Sequence, residues 1–99
     1  MTYYENMSVD EIKTKILPIL RKHGVSRAGV FGSFARNLAS GASDIDLLVE
    51  LRPDAGLLEL IDLKIELEET LQRPVDLVEY EVLNPALRER VMREQVVLM

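Results

Sequence analysis

Apolar residues recur at helical spacing near the start of the chain, at Ile12, Ile16, Leu17 and Leu20. This period of three to four residues predicts an amphipathic helix. Ser8 and Glu11 have the spacing of a capping box at its beginning, and Gly24 suits its end. Pro18 removes one backbone hydrogen bond and crowds the preceding turn, so we expect a kink near residues 14–18 or two short helices.

After this helix the pattern changes to short β-prone stretches that alternate with helical segments. The predicted strands cover residues 25–31, 44–51 and 75–80. The predicted helices cover residues 33–38 and 57–72, and a closing helix begins at the capping pair Asn84-Pro85. Such alternation is typical of an α/β fold, in which helices pack against a small sheet. We therefore expect a single domain over residues 1–99.

The long helix of residues 57–72 carries two apolar stripes. One stripe, which is enough to cover a sheet, consists of Leu60, Leu63, Leu67 and Leu71. The second consists of Leu58, Ile61 and Ile65. One interpretation buries the second stripe under a neighbouring element. The other treats it as a partner surface, because monomers seldom leave such patches bare.

Composition excludes several classes of protein. The 99 residues include no cysteine and a single histidine, so disulfide scaffolds, thiolate or histidine zinc sites and cysteine nucleophiles are ruled out. The net charge of −5 argues against nonspecific binding to duplex nucleic acid. The sequence lacks a signal-peptide pattern and any apolar run of about 20 residues, so we expect a cytoplasmic protein without membrane spans. We interpret His23 as a helix-end cation rather than a catalyst.

Two aspartates, Asp44 and Asp46, lie at the start of the second predicted strand. Because successive strand side chains point to opposite faces, both carboxylates should share one face while Ile45 and Leu47 enter the core. Two like charges so close repel each other, and a divalent cation relieves that repulsion. Oxygen-only ligands suit Mg²⁺ or Mn²⁺, which also bind substrate phosphates.

The pair Gly32-Ser33 marks the point where the first strand ends and a short helix begins. Glycine lets the backbone approach a ligand closely, and free N–H groups at a helix start favour an anion. The Ser33 hydroxyl and, one turn further on, Arg36 can add contacts to a phosphate. The alternatives are a plain strand-to-helix turn for Gly32 and Ser33, and an ion pair for Arg36.

Asp76 is a lone acid within the third predicted strand, where an unpaired carboxylate is costly. If this strand lies beside the one that carries Asp44 and Asp46, three carboxylates meet and can hold two metal ions about 3.5–4 Å apart. Asp76 would then be the general base for an attacking hydroxyl. The alternatives are an ion pair between Asp76 and an arginine such as Arg73, and simple strand-end solvation for the aspartate pair.

Together these residues carry a family resemblance. The run Val30-Phe31-Gly32-Ser33, a ten-residue spacer and then Asp44-Ile45-Asp46-Leu47 resemble the signature of the polymerase-β-type nucleotidyltransferase superfamily. The short chain and the Gly-Ser-Phe-Ala-Arg run resemble its minimal members, the MNT antitoxins. The resemblance implies the polymerase-β-like fold, a small mixed β-sheet covered by helices.

The resemblance also implies a reaction and a partner. Such proteins are usually encoded beside a HEPN-domain toxin and form a complex with it, and minimal members transfer AMP from ATP to a tyrosine of that toxin. It implies that Gly32 and Ser33 hold the triphosphate, that Asp44 and Asp46 bind two Mg²⁺ ions, and that Asp76 completes the catalytic set. The alternatives are a binding module that neutralises its partner without catalysis, and transfer to a small molecule.

Overall fold

The structure is a computed structural model that describes residues 8–35 and 44–99. Within these ranges the strands are β1 (Arg27–Phe31), β2 (Ile45–Glu50), β3 (Val75–Glu79) and β4 (Val96–Val97). The helices are α1 (Val9–Lys22), α2 (Gly32–Ala35), α3 (Leu57–Leu71) and α4 (Pro85–Glu94). None of the helices in these two ranges has the length and apolar character needed to span a bilayer.

The strands form one mixed sheet in the order β3-β2-β1-β4. β2 and β3 are parallel, whereas β1 is antiparallel to both β2 and β4. This confirms the expected mixed sheet, but the strand bounds differ from the prediction: β1 begins two residues later, and β2 is one residue shorter at each end. The third strand ends at Glu79, because Tyr80 begins a 3₁₀ turn that runs to Val82. The short strand β4 has no counterpart in the prediction.

Alternation along β2 divides the sheet into two faces. The back face carries the fully buried side chains Ile45, Leu47 and Val49, which pack with α1 and α3 in the hydrophobic core. The front face carries Asp46, Leu48 and Glu50, together with their register partners on the neighbouring strands. The sheet therefore separates a core side from a side that carries the acidic residues.

Helix α1 begins as predicted, because the Ser8 hydroxyl accepts from the Glu11 amide and the Glu11 carboxylate accepts from the Ser8 amide. It then runs as one helix to Lys22 with Pro18 inside it, which excludes the alternative of two short helices, and a kink near residues 14–18 stays a prediction. The cost of an internal proline is about 3 kcal/mol. Burial of Ile16 and Leu20 on either side of Pro18 offsets that cost by holding both halves of the helix on the sheet.

Helix α3 buries one of its two apolar stripes. Leu63, Leu67 and Leu71 lie in the core, as predicted, with Leu60 packed against them. The second stripe is not covered: Leu58 is 77% exposed, Ile61 42% and Ile65 50%. The interpretation that both stripes are buried is therefore wrong, because the neighbouring α1 packs beside α3 and not over its outer side.

A buried histidine joins α1 to α3. His23 caps the C-terminus of α1, as expected of a helix-end cation, and its ring lies between two carboxylates of α3. Its Nδ1 is 2.9 Å from a Glu59 oxygen and its Nε2 is 2.8 Å from a Glu66 oxygen. Arg52 and Lys22 each contact one of these glutamates in turn. This network fixes the two back-face helices to each other.

Candidate active site

Two acidic residues face each other across neighbouring strands on the front face. Asp46 of β2 is the register partner of Asp76 of β3, and directly paired residues of parallel strands point to the same side, about 4.8 Å apart at Cα. Asp44 immediately precedes β2 and is exposed, as is Asp76. Sheet register therefore brings Asp76 beside the aspartate pair, at a place on the front face that is open to solvent.

The pKa of Asp46 reflects this crowding. Partial burial raises the pKa of the Asp46 carboxyl, and the negative charges of Asp76 and Asp44 raise it further. The two neighbouring carboxylates are thus close enough to act electrostatically on Asp46. A cationic ligand at this position would reverse the effect by favouring the ionised form.

Gly32 lies directly beside Asp46. It has a φ of +73°, which is the left-handed region, and it begins α2 immediately after β1. A Cβ atom at this position would collide with Oδ2 of Asp46. Both the backbone conformation and the close approach therefore require glycine here. The strand-to-helix turn thus brings main-chain atoms next to the carboxylate.

The remaining residues expected at the phosphate end are only partly described. Ser33 is the second residue of α2, which begins one residue before the predicted helix. Arg36 and the predicted loop over residues 39–43 lie outside the described residues.

The acidic set fits a divalent metal ion in its chemistry. Asp44, Asp46 and Asp76 offer only carboxylate oxygens, the ligands that Mg²⁺ prefers. Among the described residues, however, no three acidic or histidine side chains are already arranged around a metal position. Mutual repulsion accounts for such an open arrangement of carboxylates. The fit is therefore one of donor type and position, not of a closed cage.

The far end of the front face contains a cleft that the sequence analysis missed. Arg27 of β1 is the register partner of Glu50 of β2. Its guanidinium lies 4.2 Å above the centre of the Tyr80 ring. The Tyr80 hydroxyl donates to Gln95 at 2.7 Å. The cleft has a volume of about 380 Å³ and lies four residues along β2 from Asp46, or about 13 Å.

A glycine inside β1 makes room for two side chains beside this cleft. A Cβ atom at Gly29 would collide with Oε1 of Gln95 and would lie 3.0 Å from the Tyr80 hydroxyl. Glycine in a strand interior often marks a close approach of another group, and that was the available sequence signal. It does not indicate which side chain approaches.

Comparison with known proteins identifies the family. Residues 14–99 match the family described as polymerase beta, nucleotidyltransferase. The chain belongs to this family. The resemblance seen in the Gly32-Ser33 pair and the two spaced aspartates is thereby confirmed.

Two relatives of this nucleotidyltransferase carry names that refer to protein modification. A protein of Methanocaldococcus jannaschii, provisionally named a protein adenylyltransferase, is 51% identical over 90 residues, which cover 91% of this chain and 97% of the relative. Protein adenylyltransferase MntA of Thermococcus cleftensis is 40% identical over 75 residues, which cover 76% of each chain.

Two solved structures share the fold. One, provisionally described as a minimal nucleotidyltransferase, has a TM-score of 0.80 and 39% identity, covering 91% of this chain and 95% of its own. The other, a toxin-antitoxin with AMP-PNP, has a TM-score of 0.76 and 25% identity, covering 88% of this chain and 72% of its own. The expected polymerase-β-like fold is confirmed.

Proposed function

We propose that this nucleotidyltransferase transfers AMP from ATP to a tyrosine hydroxyl of a HEPN-domain toxin and thereby acts as its antitoxin. The observation that carries the proposal is Asp46, which lies beside Asp76 and against the main chain of Gly32 on an open sheet face. The names of the relatives support protein adenylylation, and the related toxin-antitoxin with AMP-PNP supports both a toxin partner and a nucleotide. Because ATP is the donor, we propose the cytoplasm as the location.

The phosphate end of the site is assigned to the start of α2. Gly32 turns the chain from β1 into α2 next to Asp46, which would place the triphosphate along the main chain at this turn, and Ser33 and Arg36 would add a hydroxyl donor and a cation. These three residues orient the nucleotide so that its α-phosphate faces the carboxylates.

The carboxylates of Asp44, Asp46 and Asp76 would hold two Mg²⁺ ions, or Mn²⁺ in their place. When bound, such ions polarise the phosphate and offset the charge of the leaving pyrophosphate. Without a cation, burial and then the charges of Asp76 and Asp44 raise the pKa of Asp46, so its ionised form is disfavoured. A bound cation would favour the ionised form of Asp46 and offset the repulsion between the three acids.

The transfer step is a displacement at the α-phosphorus of ATP. The acceptor oxygen forms a bond to that phosphorus, and the bond to the bridging oxygen of the β-phosphate breaks, which releases pyrophosphate. Asp76 takes the proton of the acceptor hydroxyl. Its exposure at the sheet edge lets a residue of another protein reach it.

The second candidate function is a binding module that covers its partner without chemistry. The exposed stripe of α3 favours it, because such a surface is suited to complex formation whether or not the acids act.

Transfer of label from ATP separates these two functions. The purified protein is mixed with α-labelled ATP, Mg²⁺ and the HEPN protein encoded beside it. We expect label on the HEPN protein, dependent on Mg²⁺ and lost on addition of a chelator. Replacement of the acceptor tyrosine by phenylalanine should remove the label without preventing complex formation.

A matched pair of variants controls this experiment. Asp44→Asn should abolish labelling, whereas Asp54→Asn, which removes the same charge from an exposed turn, should not change it. A tight complex without label in the wild-type protein would contradict catalysis and support the binding module. Label on an added small hydroxyl compound in the absence of the HEPN protein would indicate small-molecule transfer.

A further inference from the structure

One side of α3 presents a row of large aliphatic side chains to solvent. This row, the α3 outer face, consists of Leu57, Leu58, Ile61 and Ile65, of which the first two are 71% and 77% exposed. The opposite side of the same helix carries Leu63, Leu67 and Leu71, which are buried in the core. From Leu58 to Ile65 the row extends about 10 Å along the helix axis. A continuous apolar row of this kind marks an interaction site more often than a scattered exposed residue does.

The two edges of the row differ in charge: the exposed Lys64 lies on one edge, and acidic residues lie on the other. Asp62 and Glu69 are exposed and each lies four residues after a member of the row, on the same edge of the helix. Neither has an ion-pair partner in the part of the chain that the structure describes. An occupant with Lys or Arg beside its own apolar side chains would pair with these carboxylates as it covers the row.

The same charges disfavour a second copy of this chain. Antiparallel pairing of two α3 outer faces brings like edges together, so the edge that carries Asp62 and Glu69 would lie along the same acidic edge of the other copy. Repulsion between like charges opposes such a dimer, and the net charge of −5 on each chain adds to it.

We propose that the α3 outer face docks an amphipathic helix of the partner protein, with an apolar side and basic residues along its edge. The partner's identity rests on the proposed function, whereas the surface and its chemistry do not. α3 packs on the back face of the sheet, and the acids lie on the front face. Docking and group transfer therefore use opposite sides of the molecule and are separable by mutation.

The test compares two variants, each with three substitutions at exposed apolar positions. Leu58→Gln, Ile61→Gln and Ile65→Gln together remove the row, and glutamine keeps the helix propensity. Val82→Gln, Leu87→Gln and Val97→Gln change equally exposed residues elsewhere and serve as the control. Circular dichroism and thermal unfolding establish that both variants fold. We expect calorimetric affinity for the purified HEPN protein to fall about 100-fold in the first variant only.

A second arm tests the charge complementarity. Asp62→Lys with Glu69→Lys should weaken binding about tenfold and reduce its dependence on salt concentration, because the attraction becomes repulsion. Unchanged affinity in both the apolar and the charge variants would overturn the proposal. So would the absence of any binding by the wild-type protein. A wild-type dimer in sedimentation that becomes monomeric in the apolar variant would assign the face to a second copy instead.

Labelling at saturating partner concentration separates this proposal from the proposed function. The apolar variant should still label the HEPN protein once enough partner is present, because its acids are intact. Loss of affinity without any labelling by the wild-type protein would leave the docking surface standing and reject the transfer reaction. Labelling by the wild-type protein with no loss of affinity in the apolar variant would support the transfer reaction and reject the docking surface.

Discussion

The two faces of the sheet are built from the same strands, yet they contribute differently to stability. Neighbouring residues of one strand can stabilise the fold on one face and carry an unfavourable charge on the other. On β2, Leu47 is fully buried on the back face, whereas its neighbour Asp46 lies on the front face beside Asp76. Burial of Leu47 stabilises the fold by about 2 kcal/mol. The raised pKa of Asp46 shows that its ionised form is disfavoured there. The back face thus supplies the stability on which the front face depends.

The sharpest test of this separation is Asp46→Asn. We expect AMP transfer to fall about 10³-fold, because the central carboxylate of the acidic set is lost. A carboxyl whose folded-state pKa is raised lowers stability as pH rises from the unfolded-state pKa through the folded-state pKa, and the full cost is present at neutral pH. Removal of its charge should therefore leave the free energy of unfolding at neutral pH unchanged or higher. Labelling and urea denaturation measure the two effects, and a large loss of stability would break the comparison.

The converse change is Leu47→Ala on the back face. A cavity in the core should lower the free energy of unfolding by about 3 kcal/mol, while the transfer rate of the protein that remains folded stays the same. Leu58→Ala, at an exposed position, should cost less than about 0.5 kcal/mol and is the control. A fall in transfer rate at low temperature, where Leu47→Ala is fully folded, would show that the faces are coupled.

The histidine between α1 and α3 predicts a pH dependence of stability. Burial lowers the pKa of His23, but its hydrogen bonds to Glu66 and Glu59 outweigh burial and raise the pKa above 6.5. The charged interaction therefore stabilises the fold fully below that value and is lost as pH rises through the raised pKa. The unfolding free energy should be lower at about pH 8.5 than at about pH 6.

The variant His23→Gln provides the comparison for that pH effect. It should lose about 1 kcal/mol of stability at the lower pH and show no decline between the two pH values. Denaturant titrations at both pH values give the measurement. The prediction fails if wild type and variant decline equally.

The smallest effect concerns the beginning of α3. Gly56 is its N-cap without a side-chain hydrogen bond, and a Cβ atom there would meet nothing within 4 Å. Gly56→Ser should add about 0.5 kcal/mol by capping a free amide, and Gly56→Ala should not. Thermal unfolding of the two variants decides it, and transfer activity should be unaffected because the change lies in a back-face element.

Local signals in the sequence were sufficient for much of the fold. The caps at Ser8 and Asn84 depend on nearby residues only, and both form as expected. The side-by-side position of Asp46 and Asp76 was expected only on condition that their strands are neighbours, which local patterns do not determine. Strand β4 was missed because two residues have no period, and it exists through its pairing with Gly29 and Val30.

The remaining errors came from tertiary packing. Pro18 was compatible with either a kink or two short helices, and the second alternative is excluded because buried side chains around Pro18 hold α1 together. The residue types in the second stripe of α3 do not tell whether the stripe is buried or exposed. The position of the neighbouring helix α1 decides this. The close approach of Gly32 to Asp46 requires coordinates, because a Gly-Ser pair before a helix also occurs in plain turns.

The contact between Gly32 and Asp46 has a consequence for how relatives of this chain diverge. A substitution at position 32 would displace the acid at position 46, whereas the residues of the back-face core would stay the same. Descendants that lost the glycine would keep the architecture and the outer side of α3 while losing the alignment of their carboxylate. The presence or absence of glycine at position 32 therefore distinguishes relatives expected to catalyse transfer from relatives expected only to bind a partner.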